Sequence, residues 1–167
     1  SNLKKISKNL ILSNSGEAII IKNNTSKGIL LRGYKNNDFS SLEFFKDNNF
    51  LGNNKILSKN FISIGKELSF TLDLEVGDKI TLMSSVGLET IIGNLPKQKT
   101  FLVTSIFESG MAEFDNNIAF INLKTLEEFF NLDDKDRNLE IYLNNPKNIK
   151  YQKSLVQNNF PDEFIYS

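Results

Sequence analysis

The chain of 167 residues contains no cysteine and no histidine. The lack of cysteine excludes disulfides and thiolate nucleophiles, and the lack of histidine excludes Ser-His-Asp triads and nearly all zinc or iron sites. We therefore predict a protein without a metal or cofactor, and enzymatic activity becomes the minority interpretation.

The sequence also has no excess of charge and no long apolar run. Lysine plus arginine (20) balances aspartate plus glutamate (20), whereas a nucleic-acid-binding domain would present a basic face to phosphates. No apolar run approaches the ~18 residues that cross a bilayer, and the N-terminus does not resemble a signal peptide. Because 40% of the residues are hydrophobic, we expect a soluble, folded domain that recognises partners by shape and apolar contact.

The first half of the chain predicts short strands followed by two helices. Apolar clusters at 10–12, 18–21 and 29–31 are separated by Asn, Ser and Gly turns, which is typical of sequential antiparallel strands. Ser40 precedes Glu43 by a capping-box spacing, which predicts a helix that carries Leu42 and Phe45. Apolar residues four apart then predict a second helix, and these residues are Ile64, Leu68 and Leu72.

The second half predicts two long strands and then alternating strands and helices. A strand with Ile80 and Leu82 on one face pairs with a strand at 99–107, and a glycine turn follows at 108–117. Strands at 118–122 and 139–143 alternate with helices at 123–130 and 149–157. Five phenylalanines at strand or helix spacing are assigned to the core: Phe101, Phe107, Phe120, Phe129 and Phe130. This order predicts an α+β fold.

The connection between the two long strands is unusually apolar. This segment, residues 85–96, is called the apolar hairpin below, and its apolar side chains are Val86, Leu88, Ile91, Ile92 and Leu95. Gly87 and Gly93 allow the chain to reverse direction, and Pro96 removes a backbone donor. Such a segment either folds back over its own lobe or enters a hydrophobic cavity of a partner.

Two groups of acidic residues suggest chemistry only weakly. Asp133, Asp134 and Asp136 lack the full calcium-loop spacing and its glycine, so a solvated turn is the preferred interpretation. The second group surrounds a glycine turn and consists of Glu108, Glu113 and Asp115. These residues could supply the paired acids of a hydrolase, but no substrate pocket is evident from the sequence.

Four blocks in a fixed order resemble the periplasmic domain of the LolC/LolE family, the membrane subunits of the lipoprotein-releasing ABC transporter, which are related to MacB-type transporters. The matching residues are GILLRGY (28–34), IGKEL (64–68), LEVGDKITLMS (74–84) and FLVTSIFESGMAEFDNNIAFINL (101–123). The resemblance covers nearly the whole chain.

The resemblance implies one periplasmic domain, residues 1–167, with a MacB-like periplasmic core. A β-rich Sabre-like lobe spans approximately 13–135, and a smaller, incomplete α/β Porter-like lobe comprises approximately 1–12 and 136–167. The full-length protein would lie in the inner membrane with a second membrane subunit, and a separate cytoplasmic ATPase would hydrolyse the nucleotide. This fragment would not itself be an enzyme.

The resemblance also implies a role for the apolar hairpin, which corresponds to the loop called the Hook. In LolC-type subunits the Hook captures the periplasmic lipoprotein carrier LolA before lipoprotein is released from the membrane. The implied carrier-binding residues are Val86, Leu88, Ile91, Ile92, Leu95, Pro96, Gln98 and Lys99. Thr81 replaces another basic residue of the docking pad.

Two alternatives stay open. Lys97 and Lys99 could contact an acidic rim of the carrier or remain solvated and guard a strand edge. The whole domain could instead be MacB-like or FtsX-like and couple an ABC ATPase to efflux or to a cell-wall hydrolase.

Overall fold

A long β-hairpin begins the fold. The structure is a computed structural model that describes residues 7–42, 50–53, 58–145, 147 and 149–159. Strands β1 (Ser7–Lys22) and β2 (Thr25–Tyr34) pair antiparallel around Asn23 and Asn24. Asn23 has a φ of 52°, a left-handed conformation that asparagine tolerates better than most residues. The turn predicted between the apolar clusters at 18–21 and 29–31 is confirmed.

Six further strands follow β1 and β2 along the chain: β3 (Phe50–Gly52), β4 (Phe61–Gly65), β5 (Lys79–Thr90), β6 (Gly93–Phe107), β7 (Ile118–Asn122) and β8 (Asn138–Leu143). Six of these eight strands pair into a closed ring. The pairing runs β2-β7-β4-β6-β5-β1, and β1 pairs again with β2, which closes a barrel. The pairs β2–β7 and β4–β6 are parallel. Strand β3 pairs with β6, and β8 is the outer neighbour of β1.

The barrel core is built from alternating strand residues and from helices that cover it. The helices are α1 (Asn36–Phe39), α2 (Lys66–Leu72), α3 (Ala112–Asn117), α4 (Leu123–Phe130) and α5 (Ile149–Asn159). Ile20, Leu31 and Leu82 are completely buried strand side chains, and α4 adds the buried Leu126. All five phenylalanines assigned to the core are 0% to 4% exposed, which confirms their assignment. The α+β fold class is likewise confirmed.

Four predicted elements were wrong or displaced. The clusters at 10–12 and 18–21 lie on one continuous strand, β1, and no turn separates them. Ile64 lies on β4 and not on a helix, because α2 begins only at Lys66. Ser40 does not begin a helix but follows the end of α1, and Glu43 and Phe45 lie outside the described residues. The segment 108–117 is more than a turn, since α3 occupies its second half.

The chain divides into two compact units. One contains Leu12–Asn138, and the other contains Ser1–Ile11 and Leu139–Ser167. The first unit holds the barrel with α1 to α4, and the second holds the start of β1 together with β8 from Leu139 and α5. Assignment of these units to Sabre-like and Porter-like lobes remains a prediction. Within the part of the chain described here, no helix has the length and apolar character of a membrane span.

Candidate functional site

The apolar hairpin is a two-stranded ribbon and not the loop that the sequence predicted. Strands β5 and β6 pair from Lys79↔Leu102 to Met83↔Gln98 and again from Gly87↔Pro96 to Thr90↔Gly93, so Ile91 and Ile92 form the turn. Pairing of β5 with β1 reaches only to Ser84, opposite Ala18. Beyond that point β5 and β6 continue as partners of each other, which carries the ribbon past the barrel wall.

A register shift marks the place where the ribbon leaves the barrel. It lies between Met83 and Gly87, and within it the hydroxyl of Ser84 donates a hydrogen bond to the carbonyl of Val86. Such a bulge bends and twists a strand pair, so it can change the direction of the ribbon. At the tip, Gly93 has a φ of 116°, which favours glycine at this position.

The turn of the apolar hairpin is fully exposed. Ile91 is 107% exposed and Ile92 86%, while Leu95 is 50% and Val86 37% exposed. The Leu88 side chain lies outside the described residues, although its backbone pairs with that of Leu95. The tip is therefore not packed on its own barrel, which was the alternative that the sequence left open.

The base of the hairpin lies against the C-terminal end of α4. The ammonium group of Lys97 donates to the backbone carbonyl of Glu128 at 3.1 Å and to the Asn131 side-chain oxygen. Burial lowers the pKa of Lys99, and the nearby charge of Lys59 lowers it further, while Glu128 opposes both effects. Lys97 therefore has a partner that the sequence did not reveal, and Lys99 is partly buried.

Of the remaining proposed contacts, Pro96 and Gln98 are both exposed. Pro96 pairs in register with Gly87, and Gln98 pairs with Met83 at the start of the register shift. Pro96 thus lies on the tip side of Lys97, and Gln98 lies at the base of the ribbon between Lys97 and Lys99.

Two of the three acids of the hydrolase alternative make structural contacts. Both carboxylate oxygens of the buried Asp115 accept from the backbone N–H of Ser109 at 3.1 Å. Glu108 forms an ion pair with Lys66 at 3.0 Å, and Glu113 is exposed in the first turn of α3. These contacts account for Asp115 and Glu108 as structural groups.

The aspartates at 133–136 also have structural roles. Asp133 and Asp136 form a reciprocal capping box around a short 3₁₀ turn, and Asp134 forms an ion pair with Arg137. Arg137 also holds the carboxylate of Glu127, a contact that the sequence analysis missed. The sequence does hold a signal for this contact, since Arg137 is one of only two arginines in a lysine-rich chain. Arginine is favoured over lysine where a carboxylate accepts two parallel hydrogen bonds.

Comparison with known proteins supports the resemblance seen in the sequence. No protein-family model matches the chain. The lipoprotein-releasing system transmembrane protein LolC of Xylella fastidiosa strain Temecula1 is 33% identical over 72 residues, 43% of this chain and 17% of that protein. LolC of Neisseria meningitidis serogroup B is 31% identical over 87 residues, 52% of this chain and 21% of that protein. The matched part thus spans about a fifth of these relatives.

Solved structures show the same fold at low sequence identity. The extracellular domain of the ABC-type transporter YknZ from Gram-positive bacteria superimposes with a TM-score of 0.57 and 12% identity, covering 97% of this chain and 82% of that one. The periplasmic region of MacB from Actinobacillus actinomycetemcomitans gives 0.53 and 10% identity, covering 93% and 69%. The likeness to a LolC/LolE periplasmic domain with a MacB-type fold is therefore confirmed.

Proposed function

We propose that this chain is the periplasmic domain of an inner-membrane subunit of a lipoprotein-releasing ABC transporter, and that it docks a LolA-like lipoprotein carrier through the apolar hairpin. The supporting observation is the pair Ile91 and Ile92, which are almost completely exposed at the end of a ribbon that extends past the barrel. Exposed apolar groups clustered on a soluble surface mark interaction sites. A carrier that shields acyl chains offers a complementary apolar cavity.

The expected affinity is moderate. Burying Ile91, Ile92 and Leu95 at ~1.5–3 kcal/mol each gives roughly 5–9 kcal/mol. Loss of translational and rotational freedom on association opposes this with ~4–15 kcal/mol. Polar contacts from Gln98 and Lys99 at the ribbon base must then supply part of the net affinity. A weak complex suits a carrier that leaves after it has been loaded.

In this proposal the domain performs no chemistry of its own. A cytoplasmic ATPase subunit hydrolyses the nucleotide, and a second membrane subunit completes the complex. The domain holds the carrier where lipoprotein leaves the membrane, and movement of the subunit is coupled to transfer. The carrier recognises an apolar ribbon, so the lipoprotein itself need not contact the hairpin.

The decisive experiment is titration calorimetry of this domain with the purified carrier from the same organism. We expect saturable one-to-one binding with a negative heat-capacity change, because apolar surface is buried. No binding at concentrations up to millimolar would reject carrier docking. The MacB-like or FtsX-like alternative would then be preferred, and efflux partners or cell-wall hydrolases would be the next proteins to titrate.

A further inference from the structure

We infer that Lys97 is a positioning residue that fixes the direction of the apolar hairpin by latching its base to the C-terminal end of α4. This inference rests on the proposed function for its consequence in docking, but the latch itself can be measured without any carrier. Lys97 lies one residue beyond Pro96, outside the segment proposed to enter the carrier.

The latch satisfies a backbone requirement of α4. The last carbonyls of a helix lack partners within the helix and need donors from elsewhere. Leu132 N–H donates to the carbonyl of Glu127 at 3.0 Å, and the Lys97 ammonium donates to the next carbonyl, that of Glu128, at 3.1 Å. A cation at this end also interacts favourably with the helix dipole.

A second acceptor fixes the direction of the lysine side chain. Asn131 follows α4 with a φ of 56°, and its side-chain oxygen accepts from the same ammonium group. Two acceptors 31 and 34 residues away in sequence therefore hold one side chain of the ribbon. A lysine that only guarded a strand edge would remain in solvent.

The latch acts where the ribbon loses its pairing with β1. Pairing of β5 with β1 ends at Ser84, inside the register shift between Met83 and Gly87. A two-stranded ribbon is only marginally stable alone, so its direction depends on what holds its base. Leu126 of α4 is completely buried in the barrel core, which makes the helix a fixed reference for that base.

The consequence for docking is preorganisation. A carrier that meets a ribbon already pointing outward does not have to order it, whereas an unlatched ribbon samples directions that cannot bind. If only about a tenth of the molecules then present a competent ribbon, the apparent affinity falls about tenfold with no contact removed.

Spin labels test the latch directly, because the chain has no cysteine of its own. Labels at Asn94→Cys on the ribbon and Glu113→Cys on α3 report the ribbon direction by double electron–electron resonance. We expect a narrow distance distribution in the otherwise unchanged chain, a broad one with Lys97→Ala, and a narrow one again with Lys97→Arg. Lys124→Ala is the matched control, since it removes one exposed lysine from α4 itself.

Carrier binding by the same variants separates the two proposals. We expect Lys97→Ala to bind about tenfold more weakly, with Lys97→Arg and Lys124→Ala close to the unsubstituted chain. An unchanged distance distribution in Lys97→Ala overturns the latch. A broadened distribution with unchanged carrier affinity overturns its role in docking. If the unsubstituted chain binds no carrier while Lys97→Ala still broadens the distribution, the proposed function fails and the latch stands.

Discussion

Arg137 holds the carboxylate of Glu127 with two parallel hydrogen bonds, from Nε to Oε1 at 2.6 Å and from Nη2 to Oε2 at 2.9 Å. Glu127 is only 8% exposed, and its charge therefore depends on this partner. The same hydrogen bonds, together with the charge of Glu127 and Asp134, raise the pKa of Arg137 above its ordinary value. The pair fastens α4 to the residue that directly precedes β8.

Arg137→Met should destabilise the domain by about 3 kcal/mol, because it leaves a buried carboxylate without its cation. Urea unfolding at pH 7 measures the change. The double variant Glu127→Leu with Arg137→Met is the matched control and should recover most of the loss, since both charges are then absent. A single variant that unfolds like the unsubstituted chain would show that Glu127 is adequately solvated without the arginine.

Ile91→Asp with Ile92→Asp should abolish carrier binding and leave the fold intact. Both side chains are more than 85% exposed, so their replacement should change stability by no more than ~0.5 kcal/mol. In the complex, each aspartate would place a charge in a desolvated contact. Calorimetry with the carrier and thermal unfolding are measured on the same samples.

Phe70→Asp is the control for this prediction, because Phe70 is 68% exposed on α2, outside the hairpin. It should leave binding unchanged. Equal loss of binding in both variants would mean that the apolar hairpin is not the docking element. Leu95 is a poorer test site than Ile92, since Leu95 lies within β6 and is half buried.

The boundaries of the apolar hairpin show what the sequence could and could not supply. Its position and apolar character were evident from the spacing of Val86 to Leu95, but Ser85, Gly87 and Gly93 suggested a loop. Cross-strand pairing resumes at Gly87 and continues to Gly93, because β structure depends on the partner strand more than on local propensity. The bond from Lys97 to α4 spans 31 residues, and no local pattern predicts such a contact.

The start of helix α2 was likewise misplaced by local sequence spacing. Ile64, Leu68 and Leu72 fit one helical face, yet Ile64 belongs to β4 and only the last two belong to α2. Gly65 ends β4 directly before α2 begins, and its backbone passes very close to that of Asp115 in α3. The sequence contains the glycine, but the neighbour that requires it appears only in the folded chain.

Gly65→Ala should destabilise the domain by about 2–3 kcal/mol, since overpacking forces the backbone to move. A Cβ at this position would lie 1.9 Å from the carbonyl oxygen of Asp115. Gly28→Ala is the matched strand control, because a Cβ there meets no atom within 4 Å, and it should be neutral or slightly stabilising. Urea midpoints of the two variants that agree within error would contradict the close approach of β4 and α3.

Acid should weaken the domain partly through Asp78. A hydrogen bond from the Lys22 side chain at 2.7 Å and another from the Glu75 backbone lower the pKa of Asp78. A carboxylate with a lowered folded pKa stabilises the fold above its unfolded pKa of about 3.9, and this contribution disappears as the pH falls through the folded value.

Urea midpoints from pH 7 to pH 3 test this contribution. Asp78→Asn should lower the midpoint at pH 7 and reduce its fall towards pH 3. Parallel curves for the two proteins would show that Asp78 titrates equally in the folded and unfolded chains. Lys22→Met should reproduce much of the effect, because it removes the largest cause of the lowered pKa.

Lys99→Met should raise stability and weaken carrier binding at the same time. Burial disfavours the charged form of Lys99, and the positive charge of Lys59 adds to this, so the folded pKa is lowered. A lysine whose folded pKa is lowered reduces stability at neutral pH, and the penalty disappears as the pH rises through the ordinary lysine pKa of about 10.4. Methionine keeps the apolar stem beside Phe101 and removes the charge. The free energy of unfolding at pH 7 should therefore rise by up to ~0.5 kcal/mol, which urea unfolding measures, and the stabilities of the two proteins should converge above about pH 10.

If Lys99 contacts the carrier, the same variant should bind more weakly despite its greater stability, because a functional group is often retained at the expense of the fold. Higher stability with unchanged binding would remove Lys99 from the docking surface. The Lys99 ammonium also lies 5.7 Å from the centroid of the Phe101 ring. Lower stability of the variant would mean that this cation–π contact outweighs the cost of burying the charge.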